Sequence, residues 1–510
     1  MSMAISDNEN IFELVHSLTK AEQKSFSQLS VFSSTANKKY HDLFEIIKSQ
    51  KNYNENKIKR KLLLLNIKTP LPVLKNYLQE IILKSLRFHH DSESVDRSLH
   101  NLIEESELMH NKGIYKLRDK LIRKAKILAK KFERKEILLQ ALNKEWIYKS
   151  NFNPKAIEGD YSIALSDLNN LLFARTMTYN VSLLLEKGEI RDDSLRKEWD
   201  SVIYNPIMTE ERKIDGYEET CHYHHNWMRY HHRTNNFKAC IVHQERLIAH
   251  MESNVGLLKE YKALYIFELN GLVVAYCQDR KYEKGLNALK KLQSLDSPNL
   301  NVPDREMLAD TIAIAFGNVI HGYYLSDFDA AIAASNEAEK YMEESTTTHH
   351  HAAFLYLNLA KTNIYLGNYR KALIWTKNIF NDSPINRRDD FYVIAWVFNI
   401  IIHFELDHID FLPSLIKSTD RFLKKRNRLY KTEITILNFL KAKLPKSNTK
   451  KSIKQFYVEL LIEMKEIVKD PYEAKAFKYF DFISWLESKI ERKSIADVVR
   501  NKIKEGNIST

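Results

Sequence analysis

The densest gathering of residues able to do chemistry is the stretch 221–233, CHYHHNWMRYHHR, where histidine, cysteine and arginine alternate with aromatics. Imidazoles and thiols ligate zinc or move protons near neutral pH, and guanidinium groups fork onto carboxylates. On a helix, residues three, four and seven apart share a face, so Cys221, His224, His225, His231 and His232 fall near one stripe. A single helix cannot aim four ligands at one point with tetrahedral geometry, so no metal is expected. The 510 residues contain no GxxxxGKS/T phosphate loop, no GxGxxG, no HExxH and no GxSxG elbow. We therefore expect a protein that is not an enzyme and needs no cofactor.

Two further regions could carry binding through charge. Between residues 417 and 454 there are 13 Lys and Arg against Asp420 and Glu433 alone. Within it Arg421, Lys424, Lys425, Arg428 and Lys431 recur at spacings of three and four, a basic stripe suited to a polyanion. The first 90 residues carry a net charge of +6, with ENKIKRKLL and LPVLKNYLQEIILKSL readable as the two helices of a helix-turn-helix. The second would offer Lys75, Asn76 and Gln79 to base edges while Leu74, Leu78, Ile81 and Ile82 face inward.

The elements that must position these residues follow from composition. Only 11 glycines and 10 prolines occur, too few for sheet turns or loop-built sites, and an all-α chain of long helices with short connections is expected. Three cysteines, Cys221, Cys240 and Cys277, form no CxxC pair and no closed disulfide set, and read as reduced buried thiols. The opening MSMAISDNENIFELV is acidic where a signal peptide is basic. The longest apolar run, AWVFNIIIHFEL, is broken by Asn399, His403 and Glu405 and is too short to span a membrane. A cytoplasmic protein with no membrane partner is the expectation.

Internal repeats are clearest from Ala353 to Asn386. Tyr356, Leu359 and Ala360 share a face of a first helix, Gly367, Asn368 and Tyr369 make a turn, Ala372 and Leu373 open a second helix, and Pro384 follows it. This unit resembles the tetratricopeptide repeat. Weaker copies start at Cys221, Ile266, Ile312 and Ala395, with a further one at Leu99. The spacings of 41 to 46 residues between the last five starts exceed the usual period of ~34, which leaves HEAT-like packing open. The segments SLTKAEQKSF, RFLKKRNRLYK and FDFISWLESKI extend a full-length resemblance to a bacterial family of tetratricopeptide-like proteins. That resemblance implies a fold and no particular activity.

The expected organisation is a basic N-terminal helical bundle over 1–90, a tetratricopeptide-like superhelix over 91–430, and capping helices over 431–510. The repeat frame implies a concave groove lined by His222, His225, Arg229, His232 and Arg233, continued by Tyr323, Tyr324, Lys361 and Tyr365. Such a surface suits a peptide or protein segment with an anionic end and an aromatic body, bound more tightly below pH ~6.5 as histidines gain charge. A protein-interaction scaffold is the leading expectation, and a nucleic-acid-binding regulator using the N-terminal bundle is the alternative.

Overall fold

The computed structural model describes residues 7–31, 38–90, 94–148, 154–187, 193–209, 214, 216–295, 300–324, 326–345, 352–381, 389–408, 410–425, 431–443, 450–470, 473, 477 and 479–505. Every regular element among them is a helix, so the chain is all-α as its glycine and proline content implies. Two compact units, residues 1–169 and 170–510, make up the chain. Their boundary lies within a long helix and within the span 91–430 read as one array.

The first unit opens with α1 (Asp7–Ser17), α2 (Lys20–Val31), α3 (Lys38–Lys48), α4 (Glu55–Leu64) and α5 (Leu71–His89). They share one core, to which α2 gives Phe26 and the others give apolar residues three and four apart, including Val15, Phe44, Ile47, Ile58, Leu74 and Leu78. Local signals set the helix starts. Thr19 and Glu22 form a reciprocal capping box, with the Glu22 carboxylate accepting from the Thr19 amide at 2.7 Å. Asn54 caps α4 by accepting from the Lys57 amide. A second core, containing Leu99, Ala125, Leu138 and Leu142, joins α6 (Val95–Asn111), α7 (Tyr115–Lys131), α8 (Lys135–Ile147) and Ala164 of α9 (Pro154–Glu186).

In the second unit α10 (Asp193–Ile203) and the short α11 (Pro206–Thr209) precede a run of helical pairs. These are α12 (Tyr217–Arg233) with α13 (Phe237–Ser253), then, after α14 (Val255–Glu260), α15 (Lys262–Gln278) with α16 (Tyr282–Gln293). There follow α17 (Val302–Tyr323) with α18 (Phe328–Glu344), α19 (Ala353–Tyr365) with α20 (Tyr369–Asn381), and α21 (Asp389–Glu405) with α22 (Leu412–Lys425). The pairs are antiparallel hairpins: the Tyr217 hydroxyl at the start of α12 donates to the Met251 carbonyl at the end of α13. Successive pairs stack, α13 on α15, α15 on α17, α17 on α19 and α19 on α21. The starts read at residues 221, 266, 312, 353 and 395 each fall in the first helix of one such pair.

The turns inside four of the five pairs share one device. Asn235, Arg280, Gly367 and Asp407 adopt a left-handed backbone, with φ of 58°, 58°, 75° and 59°. The amide after each donates back to a carbonyl of the last helical turn, as Asn368 does to Asn363 at 2.8 Å and Lys281 to Tyr276 at 2.8 Å. A side chain in this conformation costs about 1 kcal/mol. Arg280→Gly is therefore expected to raise the unfolding free energy by about 1 kcal/mol, and Gly367→Ala to lower it by about the same. Urea midpoints of the two variants should move in opposite directions.

Among the C-terminal helices, α23 (Lys431–Lys443) and α24 (Lys450–Ile467) continue from α22, and α25 (Phe482–Glu491) and α26 (Ile495–Glu505) turn back along the stack. Arg500 of α26 pairs with Asp329 of α18 at 2.8 Å, and Trp485 of α25 donates to Glu405 of α21 at 2.8 Å. The physical reason is apolar surface: Phe480, Phe482 and Trp485 are each almost wholly buried by this return.

Candidate binding groove

Helix α12 carries the predicted histidine and arginine cluster, and its charges suit its ends. Glu218 and Glu219 lie in the first turn and Arg233 in the last, charges that the helix dipole stabilises. Tyr217, Cys221, Met228 and Tyr230 anchor the helix in apolar surroundings. The remaining face brings His225 and Arg229 against α15.

There His225 Nδ1 donates to the Glu268 carboxylate at 2.5 Å, and Gln244 Nε2 donates to the same carboxylate at 2.7 Å. Glu268 is 0% exposed. Burial raises its pKa, but the charge and hydrogen bond of His225, the bond from Gln244 and the nearby Arg229 outweigh this and hold the carboxyl below its usual range. Beside it the Arg229 guanidinium lies over the Phe267 ring, 4.9 Å from its centroid. The Arg229 side chain is only partly exposed, its Nε is enclosed with no hydrogen-bond partner, and it makes no ion pair among the described residues. Phe267 is 43% exposed. A guanidinium short of an acceptor thus sits beside an open aromatic surface, an arrangement that can take a carboxylate with an apolar neighbour.

His222 is engaged otherwise: its ring is joined to the Thr178 hydroxyl at 2.9 Å and to Glu218 at 3.4 Å. Glu218 also holds Arg175 at 2.7 Å and the Tyr261 hydroxyl at 2.8 Å. Burial opposes ionisation of this carboxyl, yet these bonds keep it far below the ordinary value. His232 and Arg233 are both partly exposed at the end of α12, with His232 edge-on to Phe237.

Four residues predicted to line the groove are inside the protein instead. Tyr323, Tyr324, Lys361 and Tyr365 are all buried. Lys361 Nζ lies 3.5 Å above the centre of the Tyr324 ring, and burial drives its pKa well down, with Asp481 opposing. The Tyr365 hydroxyl accepts the Asp481 amide at 2.9 Å, while Phe480 packs on the Tyr365 ring. Tyr323 packs on Tyr282 of the preceding pair. At Tyr365 and Lys361 the returning C-terminal segment is the cause, with Phe480 and Asp481 covering positions that the repeat frame leaves open.

Of the basic stripe, Arg421 and Lys424 are exposed, with Lys424 paired to Asp420 at 3.0 Å. Lys431 is exposed and 3.8 Å from Asp470. Arg428 and the side chain of Lys425 lie outside the described residues. In the N-terminal bundle Lys75 does not face outward as a reading residue would. It is buried, donating to the Tyr53 hydroxyl at 2.5 Å and to Glu55 at 3.3 Å, whereas Asn76 and Gln79 are exposed.

Sequence reasoning missed two groups. Phe267 and Glu268 had a signal: in the repeat starting at Ile266, Phe267 holds the second position of the first helix, and Glu268 is a lone acid in an apolar helix. The other is a ring cluster on the far side of α12. His224 Nδ1 is 3.1 Å from His243 Nδ1, and Trp227, His231 and His243 stack face to face with centroids 5.5 to 5.8 Å apart. Among the described residues no group of three or more His, Cys, Asp or Glu is arranged to hold a metal ion. The three cysteines are buried and unbonded to one another, with the Cys240 and Cys277 thiols pushed up to about 12 by burial. No helix among the described residues is long and apolar enough to cross a membrane. Comparison with protein-family models, curated proteins and solved structures finds no match to this chain.

Proposed function

We propose that the second unit is a non-catalytic, tetratricopeptide-like scaffold that takes an anionic segment of a partner protein on the face formed by α12 and α15. The observation that carries this reading is Arg229: its guanidinium rests on Phe267 with no acceptor of its own. A ligand carboxylate would supply that acceptor, and the exposed Phe267 would contact the residue beside it. Support comes from the neighbouring groove positions, where the chain's own Phe480 and Asp481 lie against Tyr365 and the Asp481 charge acts on Lys361. An aromatic residue followed by an acid is therefore chemistry that the neighbouring helical pair already accommodates in cis.

The test is fluorescence polarisation with a labelled peptide containing Phe-Asp-Phe and a control in which Asn replaces Asp. The full chain is expected to prefer the acidic peptide, and Arg229→Glu to weaken it about 30-fold, the equivalent of one charge-assisted hydrogen bond. Equal binding of both peptides, or an unaffected Arg229→Glu variant, would sink the proposal. The nucleic-acid alternative predicts instead an affinity falling by orders of magnitude between ~50 and ~200 mM salt. With Lys75 held by Glu55 and Tyr53, that reading loses one of its three proposed base-reading residues.

A further inference from the structure

Helix α4 ends in four successive leucines, and only the first of them, Leu62, enters the core. Leu63 is 81% and Leu64 84% exposed, and Leu65, the C-cap, is also exposed. Asn66, with a left-handed φ of 56°, ends the helix and turns the chain away, so the leucines stand at a protruding corner. Cations surround them. Lys57, Arg60 and Leu64 are three and four apart and share one face of α4, and Lys68 follows on the turn. Lys57, Arg60 and Lys68 are exposed and pair with no carboxylate among the described residues. The nearest acid of the helix, Glu55, is already held by Lys59 at 2.7 Å and by Lys75.

The geometry points to a peripheral contact with an anionic lipid surface, the Leu63–Leu64 corner entering the headgroup layer and the basic residues meeting lipid phosphates and carboxylates. Charge selects the sign of the partner, and the leucines select its kind. A nucleic-acid backbone satisfies the cations but gives the leucines no apolar environment. A rigid protein groove favours apolar residues on one stripe, whereas adjacent helical side chains diverge by about 100°. A fluid acyl boundary accepts side chains in any direction. Each basic residue near an anionic leaflet adds to the attraction, and salt screens it. That no helix among the described residues is long and apolar enough to cross a membrane does not bear on a contact made at the surface.

Sedimentation of the full chain with vesicles tests this directly. Vesicles of phosphatidylcholine mixed with phosphatidylserine are expected to pellet the protein, and vesicles of phosphatidylcholine alone to leave it in solution. The double variant Leu63→Ser, Leu64→Ser and the charge variant Lys57→Glu, Arg60→Glu should each weaken partition roughly tenfold or more. Because all four residues are exposed, their thermal midpoints should match the parent's, which separates lost binding from lost folding. Equal pelleting by both vesicle types, no pelleting by either, or an unchanged leucine variant overturns the inference. So does a DNA duplex that binds the parent and not the charge variant while serine-containing vesicles bind neither.

Discussion

Glu268→Ala is expected to lower the unfolding free energy by about 3–5 kcal/mol, the range for removing one partner of a buried charged network. The carboxylate is fully enclosed and accepts from both His225 and Gln244, and it is the anion whose field reaches Arg229. Its removal leaves the two donors facing a methyl group and takes away the anion nearest the Arg229 charge. Against a typical total of about 5–15 kcal/mol this is a large fraction of the fold's stability. Glu268→Gln retains the shape and an acceptor oxygen, and should cost distinctly less. Adding Arg229→Met to the alanine variant removes the uncompensated charge and should restore part of the loss, the signature of coupled sites in a double-mutant cycle. Urea titration reads all four proteins. An alanine variant within about 1 kcal/mol of the parent would mean that water replaces the carboxylate and that the network is not closed.

The same network shows where the sequence was legible. Helical class and pair positions could be read from scarce glycine and from the period of apolar residues, because both act locally. His225 and Arg229 were also within reach, since three- and four-residue spacing fixes a shared face. What spacing along one helix cannot encode is what comes to cover that face. Lys361 and Tyr365 hold the frame positions that Arg229 and Arg233 hold at α12, yet they are buried by a segment more than a hundred residues onward, through Asp481 and Phe480. Lys75 failed for a related reason: its i-to-i+4 neighbours suggest an outward face, while Tyr53 and Glu55 draw it inward. Long-range contacts of this type follow from the fold as a whole and leave no local periodic trace.

Acid is expected to unfold the second unit earlier than its carboxylates alone would require, through the rings behind α12. Burial first, then the charges of Arg246 and His250, lower the His224 pKa from 6.5 to about 4. Burial, with His224, His231 and Arg246, lowers that of His243 to about 3. The hydrogen bond between the two Nδ1 atoms needs one of them to accept, so protonating both sets two N–H groups against each other at 3.1 Å. Both folded values lie below the unfolded one, so between them the unfolded chain binds more protons. The stabilisation is thus fully present above pH 6.5 and is lost as pH falls toward 4 and 3. By pH 4 the loss should be about 3 kcal/mol, roughly half of two independent shifts, because the His224 charge is itself one cause of the His243 shift. His243→Gln cannot take up a proton, and its urea midpoint should fall less steeply between pH 6.5 and 4 than the parent's. This opposes the expectation that acid strengthens the groove: His224 and His231 lie on the helix that presents Arg229, and charging them loosens α12 from α13. Parallel slopes in the parent and the glutamine variant would assign the acid sensitivity to other groups and remove this link between the ring cluster and the binding face.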